Sequence, residues 1–198
     1  MRRPASLFKE ARDHYDKSRY ERALRLFLYI ALRHPSDRLA EHAANLALDS
    51  LAILGRYEQL ENTADEMLRA TALVNQHPNL ARSLRTIKYQ ARRRRADALV
   101  NVGDHVGCGE AYLELFNAEP NAQHADEVLY NAGVCFEQAG RVGAAVRLFD
   151  ELEKRMPHSR LGEKALVRKA KLYSSIAAFA RASESYEALV RKYPKSRS

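Results

Sequence analysis

Residues 80 to 103 hold seven arginines and lysines against one acid, Asp97. Within this segment Arg82, Arg85, Lys88, Arg92 and Arg95 recur at spacings of three and four, so on a helix they form one cationic stripe. Such a stripe can hold an acidic peptide, an anionic lipid surface or a phosphate backbone. It has no interleaved aromatic platform and the sequence has no nucleic-acid-binding motif, which disfavours nucleic acid. The plainer reading is a solvated face whose cations pair with neighbouring acids. Charge does alternate along the chain: net values over residues 1–40, 41–79, 80–103, 104–157 and 158–198 are +5, −4, +6, −6 and +7.

Catalytic and metal chemistry find little footing. Seven histidines (His14, His34, His42, His77, His105, His124 and His158) make neither the HExxH pattern nor a close ligand pair. No glycine-rich phosphate loop, nucleophile elbow or distinctive carboxylate pair occurs, so no catalytic residue, cofactor or metal is expected. Cys108 and Cys135 stand 27 positions apart with no CxxC partner. Spacing indicates neither a zinc site nor a disulfide framework, and leaves open whether the two thiols meet.

The elements that position these residues are helices. The 198 residues are 46% hydrophobic, with Gly 8, Pro 6 and no tryptophan, a composition that favours long helices over a many-stranded sheet. A net charge of +8 favours anionic partners. No apolar run reaches the ~18 residues of a membrane span, and Met1 to Ser6 lead into amphipathic sequence without an apolar signal core.

A repeat is visible in the prolines. Pro120, Pro157 and Pro194 are 37 apart, and the residues before them superpose. Ala96, Leu99, Cys108, Tyr112 and Leu115 align with Gly133, Phe136, Ala145, Phe149 and Leu152, then with Ala170, Tyr173, Ala182, Tyr186 and Leu189. A first copy ends at Pro35, with Ala11, His14, Tyr20, Ala23, Phe27 and Ile30. A degenerate second copy carries Leu48, Leu51, Tyr57, Leu60, Ala64 and Met67. An excess of 11 residues falls before the third copy; it is almost three helical turns, so a helix over 78–101 can lengthen without rotating its buried face.

Within each copy the apolar spacing is three and four and breaks once, at Ser18-Arg19, Gly55-Arg56, Gly103-Asp104, Gly140-Arg141 or Ala177-Ala178. Each copy therefore reads as a helical hairpin, with approximate bounds 4–36, 37–74, 78–120, 121–157 and 158–194. Small residues at Ala11/Ala23, Gly133/Ala145 and Ala170/Ala182 allow close helix crossing. Ser36, Ser159 and Ser196, after the prolines, are expected to cap the helices that follow.

This pattern resembles the tetratricopeptide repeat, most clearly in Leu129-Tyr130-Asn131-Ala132-Gly133 with Phe136, Gly140, Ala145, Phe149 and Pro157. The resemblance implies an all-α, right-handed superhelical solenoid of about five hairpins and a non-catalytic scaffold that binds a peptide or helix of a protein partner in its concave groove. The period of 37, Pro157-His158-Ser159 and Tyr193-Pro194-Lys195-Ser196 look like the bacterial cell-envelope branch, which includes Tol-Pal-associated, barrel-assembly and gliding-motility proteins. That implies the periplasm or envelope; the alternative is a cytoplasmic regulatory module that binds acidic partners or nucleic acid through its basic helix.

Some members grip a C-terminal carboxylate between basic and asparagine residues. By resemblance Asn131, Lys164 and Arg168 fall at such positions, whereas Asp97 stands where an asparagine is expected and would repel a carboxylate. A broader groove role for the three is the expectation. A further helix is also expected to cover the last hairpin, which reads as a segment of a longer protein or as self-association through that end.

Overall fold

The computed structural model describes residues 3–194. Among them are eleven helices and no strand: α1 (Pro4–Asp16), α2 (Tyr20–Arg33), α3 (Ala40–Ile53), α4 (Tyr57–Arg69), α5 (Thr71–Gln76), α6 (Pro78–Asn101), α7 (His105–Ala118), α8 (Ala125–Gln138), α9 (Val142–Arg155), α10 (Gly162–Ser175) and α11 (Phe179–Lys192). The fold class is all-α, as the apolar spacing predicts. Two compact units form, one up to Arg95 and one from Ala96, with the boundary inside α6.

The same turn closes all five hairpins. Ser18, Gly55, Gly103, Gly140 and Ala177 each adopt a left-handed backbone, with φ between 56° and 77°. The next amide donates to a carbonyl five residues back, as in Arg56 to Leu51, Asp104 to Leu99 and Arg141 to Phe136. The left-handed residue itself donates to the carbonyl three residues back, as Gly55 does to Ala52 and Gly140 to Glu137. This Schellman pattern satisfies the last carbonyls of the first helix and reverses the chain. Glycine takes it without strain; Ser18 and Ala177 hold it against the usual steric cost of a Cβ.

Packing follows the repeat. Ala11, Ala23, Ala145 and Ala170 are fully buried, and so are Phe27, Ile30, Leu51 and Met67. At the second copy Leu60 and Ala64 exchange large for small relative to Ala23 and Phe27, and both remain buried. At Gly133 an added Cβ would come within 2.6 Å of the Phe149 ring, so only glycine lets α8 and α9 approach this closely. The excess before the third copy lies in α6, a helix of 24 residues where most others have 13 or 14. The short α5 takes the place of the turns that link the other hairpins.

The serine caps are not as expected. The residue before α3 is Leu39, with no side-chain cap, and its amide is taken by Asp37 Oδ1 at 2.9 Å. Ser159 lies two residues before Leu161, accepts that residue's amide at 3.1 Å, and donates to Asp126 Oδ2 at 2.6 Å. Ser36 stands three residues before Leu39 and Ser159 two before Leu161, too far back to cap the helix, and Asp37 and Ser159 close the two turns instead. Ser196 lies outside the described residues.

Candidate functional site

The basic stripe of α6 is largely spent inside the first unit. Its amphipathic register sets Lys88, Arg92 and Arg95 against α4, where Glu61 and Asp65 are four apart and share a face. Lys88 Nζ lies 2.6 Å from Asp65 Oδ1, Arg92 Nε 2.5 Å from Glu61 Oε1, and Arg95 Nη1 3.7 Å from Glu61 Oε2. Glu61 is only 9% exposed, so these cations neutralise a charge that would be costly to bury alone. Arg82 and Arg85 remain exposed. The +6 block of α6 thus answers the −4 block before it.

Also in the first unit, α3, α4 and α6 enclose an open slot of about 780 Å³. Leu48, Leu60 and Ala91 form its floor, each at most 3% exposed, and Ile87 and Ala52 extend the apolar surface. Asn45 and Asp49 stand on the α3 wall, Gln90 and Arg94 on the α6 wall, and Tyr57 at α4. His77, just before α6, ties this arrangement to the start of α3: Nε2 is 3.0 Å from the Pro35 carbonyl and Nδ1 3.4 Å from Glu41. No motif marks this slot in the sequence; the 11-residue excess in α6 is the one signal near it.

In the second unit a cleft of about 540 Å³ lies between α8 and α10, lined by Tyr130 and Glu137 on one side and Glu163, Lys164, Val167, Arg168 and Lys171 on the other. Lys164 and Arg168 both line this cleft. Asn131, half-buried on α8, points from the neighbouring face, one position round from Tyr130. Arg168 is engaged: Nε donates to the Tyr130 hydroxyl at 2.9 Å and Nη1 to Glu137 at 2.8 Å. Partial burial lowers the Arg168 pKa, but its bonds to Tyr130 and Glu137 outweigh that and raise it overall. The exposed cations of this cleft are Lys164 and Lys171. Asp97, at the position that departs from the clamp pattern, accepts the Tyr112 hydroxyl.

Two further features lie outside these grooves, the first of them not legible in spacing. Cys108 on α7 and Cys135 on α8 are joined by a disulfide, with Cα atoms 5.9 Å apart, and both residues are buried. On α11, Phe179, Tyr186 and Val190 are 69%, 41% and 69% exposed and line an open apolar surface with Ala182. Tyr186 occupies the repeat position at which Phe149 is 1% exposed. Among the described residues no cluster of three histidine, cysteine or acidic side chains could hold a metal, and no helix is long and apolar enough to cross a membrane.

The family model of the tetratricopeptide repeat matches residues 127–159 and 164–196, which carry the hairpins α8–α9 and α10–α11. Solved structures similar to the chain include MamA (41-end) from Desulfovibrio magneticus RS-1, 15% identical with a TM-score of 0.47, covering 100% of this chain and 99% of that one. Another is a putative kinesin light chain with nearly identical TPR-like repeats from Podosopora anserina, 13% identical with a TM-score of 0.45 and full coverage of both chains. No curated protein matches the sequence significantly.

Proposed function

We propose that this chain is a non-catalytic scaffold that binds a peptide or helix of a protein partner in grooves between its helices, within a bacterial envelope or motility assembly. The observation that carries the proposal is the presence, in each unit, of an open groove with an apolar floor or side and polar walls, suited to an extended partner. The two tetratricopeptide matches support it. Pairing of Lys88, Arg92 and Arg95 with α4 favours protein docking over nucleic-acid binding along the basic stripe. The Cys108–Cys135 bridge supports an oxidising location such as the periplasm. The exposed apolar face of α11 supports self-association as a second contact.

The test is site-specific photo-crosslinking in source cells from Ile53 and Val167, in the two grooves, against the exposed Arg22 on α2, away from both. One partner crosslinked from the groove positions and not from Arg22, in an envelope fraction, supports the proposal. Retention of nucleic acid alone, lost with salt and with charge reversal of Arg82 and Arg85, would replace it by the regulatory reading.

A further inference from the structure

We propose that the slot between α3 and α6 is a docking site for an acidic peptide segment, its bulky apolar side chain against Ala52, Ile53 and Ile87 and its carboxylate at Arg94. The inference rests on the scaffold reading and assigns the slot a partner chemistry.

Three observations carry it. The floor is already closed to water, so the apolar surface open to a ligand is that of Ile53, 49% exposed, with the half-buried Ala52 and Ile87, and an apolar side chain entering the slot covers it. The small side chains of Ala52 on the α3 wall and Ala91 in the floor leave room for it. The walls differ in charge. Asp49 on α3 already accepts the Tyr15 hydroxyl and presents a negative edge; Arg94 on α6 is exposed, unlike Lys88 and Arg92, whose charges meet α4. A bound carboxylate is attracted to the α6 wall and repelled from the α3 wall, which fixes the direction in which a segment lies. Asn45 and Gln90, one on each wall, can each offer both a donor and an acceptor to a peptide main chain.

The experiment is fluorescence anisotropy on the full chain with three labelled dodecapeptides. One carries a leucine–phenylalanine pair next to two glutamates; in the second the glutamates are lysines; in the third serines replace the apolar pair. The first is expected to bind saturably and the other two at least about fivefold more weakly, the scale of one exposed ion pair or one lost apolar anchor. Arg94→Glu should reverse the preference between the acidic and basic probes. Ala52→Phe, which fills the slot from a half-buried position, should remove binding of all three while the helical circular dichroism stays unchanged. Equal binding of acidic and basic probes, an acidic preference that survives Arg94→Glu, or no saturable binding would each overturn the proposal. If Ala52→Phe retains the crosslinked partner of the preceding test, this site falls while the scaffold reading stands; if the groove crosslinks themselves are absent, the scaffold reading falls.

Discussion

The hydroxyl of Tyr15 on α1 donates to Asp49 on α3, joining the first helices of two successive hairpins across 34 residues of sequence. That bond pushes the Tyr15 pKa up from 10.0 to about 12, with partial burial adding to it. A group whose pKa is raised by folding stabilises the fold below its unfolded pKa and loses that contribution as pH rises through the folded value. Tyr15→Phe should therefore cost about 1 kcal/mol at neutral pH, a typical net hydrogen bond. The difference from the parent, read by urea unfolding, should shrink between pH 10 and 12. A difference constant through that window would remove the bond from the account.

Gly133 faces the Phe149 ring so closely that a Cβ would sit 2.6 Å from it. Gly133→Ala gains helix propensity but must displace a side chain that is 1% exposed. Overpacking of this kind costs about 1–3 kcal/mol, more than the propensity gain of about 1 kcal/mol. Ala145→Leu, at the same crossing, should lose a similar amount. A melting midpoint at or above that of the parent in both variants would mean that α8 and α9 do not cross there.

The disulfide closes a loop between positions 27 apart. Chain-entropy arguments give about 3.5 kcal/mol for such a loop. Under non-reducing conditions the native protein should show no alkylatable thiol, and the double variant Cys108→Ala, Cys135→Ala should unfold at lower denaturant by roughly that amount. Two thiols reacting in the unreduced, unfolded chain would refute the bridge.

Glu153 sits where α9, α10 and α11 meet, with Lys169 Nζ at 3.3 Å and Lys192 in contact. Burial raises its pKa, but the two lysines more than offset this and hold it below 4.5. Lys169 is likewise pulled down by burial and raised further by Asp150 and Glu153, ending above 10.5. The depressed carboxylate contributes above its unfolded pKa and is lost as pH falls through the folded value; the raised amine contributes until pH rises past its own. Glu153→Gln should lower the melting temperature at pH 7, and the gap from the parent should narrow as pH falls past the ordinary glutamate value of about 4.3. A gap that stays constant as the pH falls past that value would mean that the glutamine changes packing rather than charge.

The hairpins were legible because two local signals agree at every copy. An apolar stripe breaks at Ser18, Gly55, Gly103, Gly140 and Ala177, and the left-handed turn falls on those same residues. The length of α6 was legible too, since 11 residues preserve a helical face. What the residues could not disclose are distances between hairpins. The acids that occupy Lys88 and Arg92, the meeting of Cys108 with Cys135, and the slot beside Arg94 all depend on how one hairpin lies on the next. Arg168 shows the same limit: its register on α10 follows from the repeat, but Glu137, which holds it, lies 31 positions back. The serine caps failed for a local reason, the length of the turn after each proline.

Leu80, Leu84, Ile87 and Ala91 run along α6 at spacings of four, three and four, and Leu80 and Ala91 lie eleven apart on one line of the helix. Heritable length change in this protein therefore comes in a natural unit. A lineage that gains or loses eleven residues here keeps every side chain on its own side, whereas one that gains nine turns the apolar line by about half the circumference. Related chains should accordingly differ in this helix by sevens or elevens, and its length is a trait that selection can change without rebuilding the core.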